Sequence, residues 1–209
     1  MIDFLFTGPP DAALTVVLAH GAGAPMDSPF MAAFAEGIAR RGLRCARFEF
    51  PYMAQRRTDG KKRPPNPARV LLQTWREAID ELSPASLIIG GKSMGGRIAS
   101  MLARTLEDEG APPRGLVCLG YPFHPPGKPE KLRTAHLLNL RTPTLIIQGE
   151  RDTLGSREDI AEYALSPAIK LKWMADGDHG FKPRKKSGRS EVENWDAALD
   201  ALAQFALSL

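Results

Sequence analysis

Residues 86–96 constrain this chain more than any other stretch. An apolar run, Ser86-Leu-Ile-Ile-Gly90, ends in Gly91-Lys92-Ser93-Met94-Gly95, and a helix-forming run from Arg97 to Ala103 follows at once. A Gly-x-Ser-x-Gly pattern between a buried strand and a helix predicts a sharp elbow that holds its serine in strained backbone geometry. In so tight a turn, side chains two residues to either side would collide, and glycine at 91 and 95 removes the collision. The Ser93 hydroxyl then projects above the carboxyl edge of a sheet. It lies at the amino end of a helix, whose dipole favours developing negative charge. The flanking strand and helix give the motif its weight, because glycine and serine also crowd ordinary turns.

Elsewhere the apolar stretches alternate between short β-rich runs and longer helical ones. Strands are predicted at Ile2–Phe6, Leu14–Ala19, Arg44–Phe50, Ser86–Gly90, Gly115–Leu119, Thr144–Gln148 and Ile169–Met174. Several are continuous apolar runs, as expected of strands buried on both faces. Helices are predicted at Pro29–Arg41, closed by Gly42, and at Pro67–Leu82, capped by Asn66. Others are predicted at Met94–Leu106, Ser156–Leu165 and Glu191–Leu207. Such alternation predicts an α/β fold: a mostly parallel sheet of about seven strands with helices on both faces. Tyr52–Pro65, Tyr121–Leu140 (with one short helix) and the basic stretch Lys182–Ser190 read as irregular loops. Loops at the carboxyl ends of strands are where such folds place their sites.

The length of 209 residues fits one domain, 1–209, with a full core. No apolar run approaches the roughly 20 residues of a membrane span, and the amino terminus does not read as a signal peptide. Cys45 and Cys118 lack metal-ligand spacing and fall in predicted strands, so they read as buried thiols. A cytoplasmic location without membrane association is the simplest expectation. The net charge of +4 gathers in Arg56-Arg57 with Lys61-Lys62-Arg63, and in Lys182, Arg184-Lys185-Lys186 and Arg189. These are two solvated loops, or an electropositive rim that steers anionic substrates. Nucleic-acid binding is not expected, because no recognition motif or aromatic platform accompanies the charge.

Activating a serine requires an imidazole base, and the base needs an acid to hold its tautomer. Of four histidines, His179 follows the last predicted strand in a Gly-flanked loop, where it can lean over the sheet edge toward Ser93. His20 opens His20-Gly21-Ala22-Gly23-Ala24, where the glycines look functional and the imidazole does not. That loop can set a backbone N–H beside that of Met94 to form an oxyanion hole, with Ala22 as donor and Gly23 as the alternative. For the acid, Asp152 lies past the end of the strand Thr144–Gln148, with Glu150 and Asp178 as competitors. Tyr52, Met53 and Phe123 are candidates for lining the site or for the core. His124 and His136 are candidate substrate contacts. Lys92 is either a contact for an anionic substrate or a solvated neighbour, and Arg97 reads as structural.

The order Ser93…Asp152…His179 matches one arrangement among hydrolases. Together with His20-Gly21, Gly91-Lys-Ser93-Met-Gly95, Gly149-Glu-Arg-Asp152 and Gly177-Asp-His179, the chain resembles the α/β-hydrolase superfamily over nearly its full length. More narrowly, four segments resemble the KANL3/Tex30-like group, whose bacterial members are often labelled dienelactone-hydrolase-like. They are His20-Gly-Ala-Gly-Ala-Pro-Met-Asp27, Arg47-Phe-Glu-Phe-Pro-Tyr-Met53, Gly91-Lys-Ser-Met-Gly-Gly-Arg97 and Gly120-Tyr-Pro-Phe-His-Pro-Pro-Gly127. The resemblance implies a serine hydrolase fold and triad. True dienelactone hydrolases usually carry a cysteine nucleophile, so Ser93 counts against dienelactone as the substrate.

The expected activity is hydrolysis of an ester or related acyl bond of a small substrate through an acyl-enzyme. No metal or organic cofactor is implied. Thioesterase, peptidase and acyltransferase chemistry use the same triad. The segment between Leu119 and Gln148 is short for a cap, which predicts a minimal lid and an open site. The rival reading is a non-catalytic interaction protein on a hydrolase scaffold, motivated by the basic loops and by chromatin-associated animal relatives. Nothing in the sequence marks a self-association surface.

Overall fold

The computed structural model describes residues 2–82 and 86–209. The elements run β1 (Leu5–Thr7), β2 (Thr15–Ala19), α1 (Pro29–Arg40), β3 (Arg44–Phe48), α2 (Pro51–Asp59), α3 (Ala68–Leu82) and β4 (Leu87–Lys92). They continue α4 (Met94–Asp108), β5 (Gly115–Leu119), β6 (Thr144–Gly149), α5 (Arg157–Ala161), β7 (Ile169–Met174) and α6 (Glu191–Leu207). The strands form one seven-stranded sheet in the order β1-β3-β2-β4-β5-β6-β7. β1 is antiparallel to β3 and the other pairs are parallel.

The central strands β2, β5 and β6 are buried along their whole length, which is why they read as unbroken apolar runs. One face of the sheet packs against α3 and α4, with Trp75, Ile98, Leu102, Ile89 and Phe48 in one apolar layer. The other packs against α1 and α6, with Phe34, Ile38, Leu199, Leu202 and Val117 in a second. Fully burying a side chain of this size stabilises by roughly 1.5–3 kcal/mol, so these two layers are the main source of cohesion.

The structure corrects several expected boundaries. β1 begins at Leu5 and spans three residues. α5 ends at Ala161, well before Leu165; its start is fixed by a capping box between Ser156 and Asp159. The first part of Tyr52–Pro65 is helical, although its polar composition reads as loop. Pro51 occupies the first turn of α2, Gly60 closes it with φ +71°, and Tyr52 and Met53 are buried beneath it. Asn66, expected to cap α3, instead accepts the Tyr52 N–H at 2.8 Å and so caps α2 from outside. Between β5 and β6 lies only a short 3-10 turn, Ala135–Leu137, and among the described residues no cap covers the sheet edge.

β2 pairs with β3 on one side and β4 on the other, so the chain reverses its winding direction there. The loops leaving β2 and β4 flank the crevice at this switch point, where open α/β sheets bind ligands.

Candidate active site

The elbow between β4 and α4 has Ser93 at φ 52°, ψ −115°, an unusual conformation for a residue with a Cβ. Strain of this kind costs about 1–3 kcal/mol and persists only where the surroundings enforce it. Here the Ser93 N–H donates to Leu119 O at 3.0 Å. A Cβ on Gly91 would sit 2.2 Å from Ala19 O, and one on Gly95 would sit 2.3 Å from the same oxygen. Gly96 adds a third tight approach, 2.6 Å from Gly91 O. Gly95→Ala is therefore expected to lower stability by about 3 kcal/mol, the upper end for overpacking, because the clashing atoms are backbone. Gly23, with nothing within 4 Å of an added Cβ, is the control. Its alanine variant should lie within about 0.5 kcal/mol of the parent in urea unfolding.

His179 rides on a loop fixed at several points. Asp178 Oδ1 accepts the N–H groups of Gly180 (2.8 Å) and Lys182 (3.0 Å). Trp195 Nε1 of α6 donates to Gly180 O at 3.0 Å. Gly149 at the end of β6 permits close approach, since a Cβ there would lie 2.2 Å from Asp178 O. The imidazole Nδ1 lies 2.7 Å from Asp152 Oδ2. Asp152 is fully buried and also accepts from Gln148 Nε2 at 2.9 Å and from the Leu154 N–H at 2.9 Å. A carboxylate accepts only, so this network assigns a proton to His179 Nδ1, and in the neutral ring Nε2 is then the acceptor.

The rival acids are engaged elsewhere. Glu150 accepts from Arg157 Nη1 (2.8 Å) and from the Asp176 N–H (2.9 Å), and Asp178 shapes the loop as described.

His20 is fully buried. Its Nε2 accepts the Phe50 N–H at 3.1 Å, so Nδ1 donates to Gly21 O at 2.7 Å. Burial holds its pKa below the usual histidine range, so the ring is a neutral brace for the loop after β2. Tyr52 Oη donates to Ala22 O at 2.8 Å and fixes the next residue. Its hydroxyl pKa is pushed up to about 12, chiefly by burial. Met94 opens α4, and the first N–H groups of a helix have no partner within it.

These parts meet at one cavity of about 540 Å³, lined by Gly21–Ala24, Lys92, Ser93 and His179, with Phe30 of α1 and Trp195 of α6 among its apolar walls. Several expected contacts do not line it. Tyr52 and Met53 are buried under α2, and Phe123 packs against Tyr121 at 4.7 Å between ring centroids. His124 is buried with Nδ1 3.0 Å from Pro125 O. His136 faces Ser100 Oγ at 2.8 Å, its pKa depressed to about 4 by burial and Arg97.

Part of the clustered positive charge is matched by neighbouring carboxylates. Arg57 pairs with Glu49 and Asp27, Arg63 with Asp59, and Arg184 with Asp176. The acidic and basic residues facing the cavity are Lys92, His179 and Glu191.

Sequence reading misses Gln148. A polar residue inside a strand buried on both faces must find partners, and that is the available signal. Its Oε1 accepts the Tyr121 N–H at 2.7 Å, and its Nε2 reaches Asp152 and Gly155 O.

Comparison with known proteins is consistent with this architecture. A family model described as an alpha/beta hydrolase domain matches residues 12–207. Dienelactone hydrolase from Anabaena variabilis superposes with a TM-score of 0.72 at 22% identity, over 99% of this chain and 91% of that one. Est1E from Butyrivibrio proteoclasticus gives 0.70 at 14% identity, over 99% and 93%. An alpha-beta serine hydrolase homologue from Coxiella burnetii gives 0.67 at 19% identity, over 96% and 91%.

Proposed function

The chain belongs to the alpha/beta hydrolase domain family, and on that premise we propose that it is a serine hydrolase acting on an ester or related acyl bond of a small substrate. The observation that carries the reading is the 2.7 Å bond from His179 to the buried Asp152, with His179 and Ser93 lining one cavity. His179 Nε2 takes the Ser93 proton as Oγ attacks the acyl carbon. Asp152 stabilises the imidazolium that results, and the N–H groups of Met94 and Ala22, with Gly23 as alternative, receive the oxyanion. The leaving group departs with the proton from His179. Water, deprotonated by the same ring, then releases the acid. No step in this scheme calls for a metal or organic cofactor.

The open sheet edge suits small or exposed acyl groups. The four motifs quoted above support the narrower placement in the KANL3/Tex30-like group. A cytoplasmic location belongs to the same proposal, supported by Cys45 and Cys118 as buried free thiols.

A fluorophosphonate probe should label the purified protein, and peptide mapping should locate the adduct on Ser93. Absence of label, or label elsewhere, refutes the proposal and favours the interaction-protein reading. Turnover of p-nitrophenyl esters, thioesters and peptide amides by the same preparation ranks the acyl classes.

A further inference from the structure

Lys92, the residue between Gly91 and the nucleophile, does more than border the cavity. Its Nζ donates to the backbone carbonyl of His179. The ammonium also lies 5.3 Å from the centroid of Phe30 and 5.7 Å from that of Phe181. Phe30 comes from α1, and Phe181 belongs to the same loop as His179. Gly120, at φ +67° beyond β5, leaves room for the contact: a Cβ there would lie 2.7 Å from Lys92 Nζ, 2.9 Å from His179 O and 3.3 Å from His179 Cε1. One cation therefore ties the elbow strand to the loop that carries the base.

We propose that Lys92 is a positioning residue, whose ammonium holds the His179 loop in register with Ser93 and loosens that hold on losing its proton. The inference rests on the hydrolase reading for its kinetic consequences, but the latch itself is structural. Two aromatic faces and a carbonyl attract a cation more strongly than a neutral amine. The acidic groups facing it are Asp152, beyond β6, and Asp178, beside His179; both favour the charged form, and the His179 ring stands alongside. Burial outweighs them and depresses the pKa from 10.5 to about 8. The latch is thus closed at neutral pH and opens at mildly alkaline pH.

The stability linkage has the opposite sign. With its pKa lowered, the folded protein binds fewer protons than the unfolded chain between about pH 8 and 10.5. This group's contribution to stability therefore rises with pH across that window and is lost as pH falls through about 8. An alkaline loss of activity from Lys92 would accordingly come without destabilisation from the same group.

The test compares the full-length protein with Lys92→Met and Lys92→Arg, using p-nitrophenyl acetate from pH 6 to 10. For the parent, kcat should fall with a midpoint near 8. Lys92→Met should lose about 100-fold in kcat at pH 7, the scale of a misplaced catalytic group. Its KM should stay close to the parent value and its melting temperature should be no lower. Lys92→Arg keeps a permanent cation, so it should retain most of the activity and lose the alkaline limb. A readout free of turnover is the low-field proton resonance of His179 Nδ1. It should be sharp in the parent and in Lys92→Arg, and broadened in Lys92→Met.

Parental kcat together with a sharp resonance in Lys92→Met overturns the proposal, as does an alkaline limb that persists in Lys92→Arg. If Lys92→Met does not fold, the Arg variant decides. A parent without turnover would refute the hydrolase reading, while the resonance would still decide the latch.

Discussion

Ser93→Gly is expected to abolish turnover and to stabilise the fold at the same time. Removing the nucleophile should cost roughly a million-fold in kcat, since the other members of such a unit do little without it. The stability effect follows from φ 52°, ψ −115°. These angles mirror the ordinary extended region, which glycine enters freely and alanine does not. Relief of about 1–3 kcal/mol of strain is partly offset by the roughly 0.5–1 kcal/mol of added unfolded-chain entropy. A net gain of up to about 2 kcal/mol is expected. Ser93→Ala should be as inactive but without the gain. Hydrolysis of p-nitrophenyl acetate and urea midpoints for the two variants provide the check. A glycine variant within tenfold of parental turnover would remove Ser93 from the chemistry. One less stable than the alanine variant would mean that the elbow is not strained.

That strain is legible in the amino-acid sequence, because Gly91 and Gly95 have few other reasons to bracket a serine between an apolar run and a helix. The sheet is legible for a similar reason: β2, β5 and β6 are buried on both faces, so their composition reports their surroundings directly. α2 is not. It buries only Tyr52 and Met53, and its first turn is completed by Asn66, which lies beyond its own end in the chain. Pattern reading sees neighbours along the chain, and this helix depends on a neighbour across space.

The site divides in the same way. Asp152 and His179 can be ranked because both follow strand ends on the carboxyl edge, where topology alone brings loops together. Aromatic side chains near those ends carry no such directional information. Tyr52 and Phe123 are therefore plausible cavity residues by position, although one braces Ala22 from behind and the other belongs to the core. Lys92 is readable as a neighbour of Ser93, but not as a partner of the His179 carbonyl 87 positions away.

Asp152→Asn should lower kcat by about four orders of magnitude with little change in KM, as expected where an acid fixes the tautomer of a catalytic imidazole. Three donors surround the side chain: His179 Nδ1 and Gln148 Nε2 at Oδ2, and the Leu154 N–H at Oδ1. A carboxylate accepts all three, whereas an amide must set its NH2 against at least one. With the NH2 toward His179, the ring has to move its proton to Nε2, where it can no longer accept from Ser93. With the NH2 toward Leu154, the tautomer survives but the imidazolium loses its counter-charge, and a buried N–H is left unpaired at a cost of about 1–3 kcal/mol. Asp152 does not line the cavity, so substrate affinity has little reason to change. Steady-state kinetics on p-nitrophenyl acetate, with urea unfolding alongside, measure both effects. Turnover within tenfold of the parent would mean that Glu150 or Asp178 serves the imidazole instead, and would sink the assignment of Asp152.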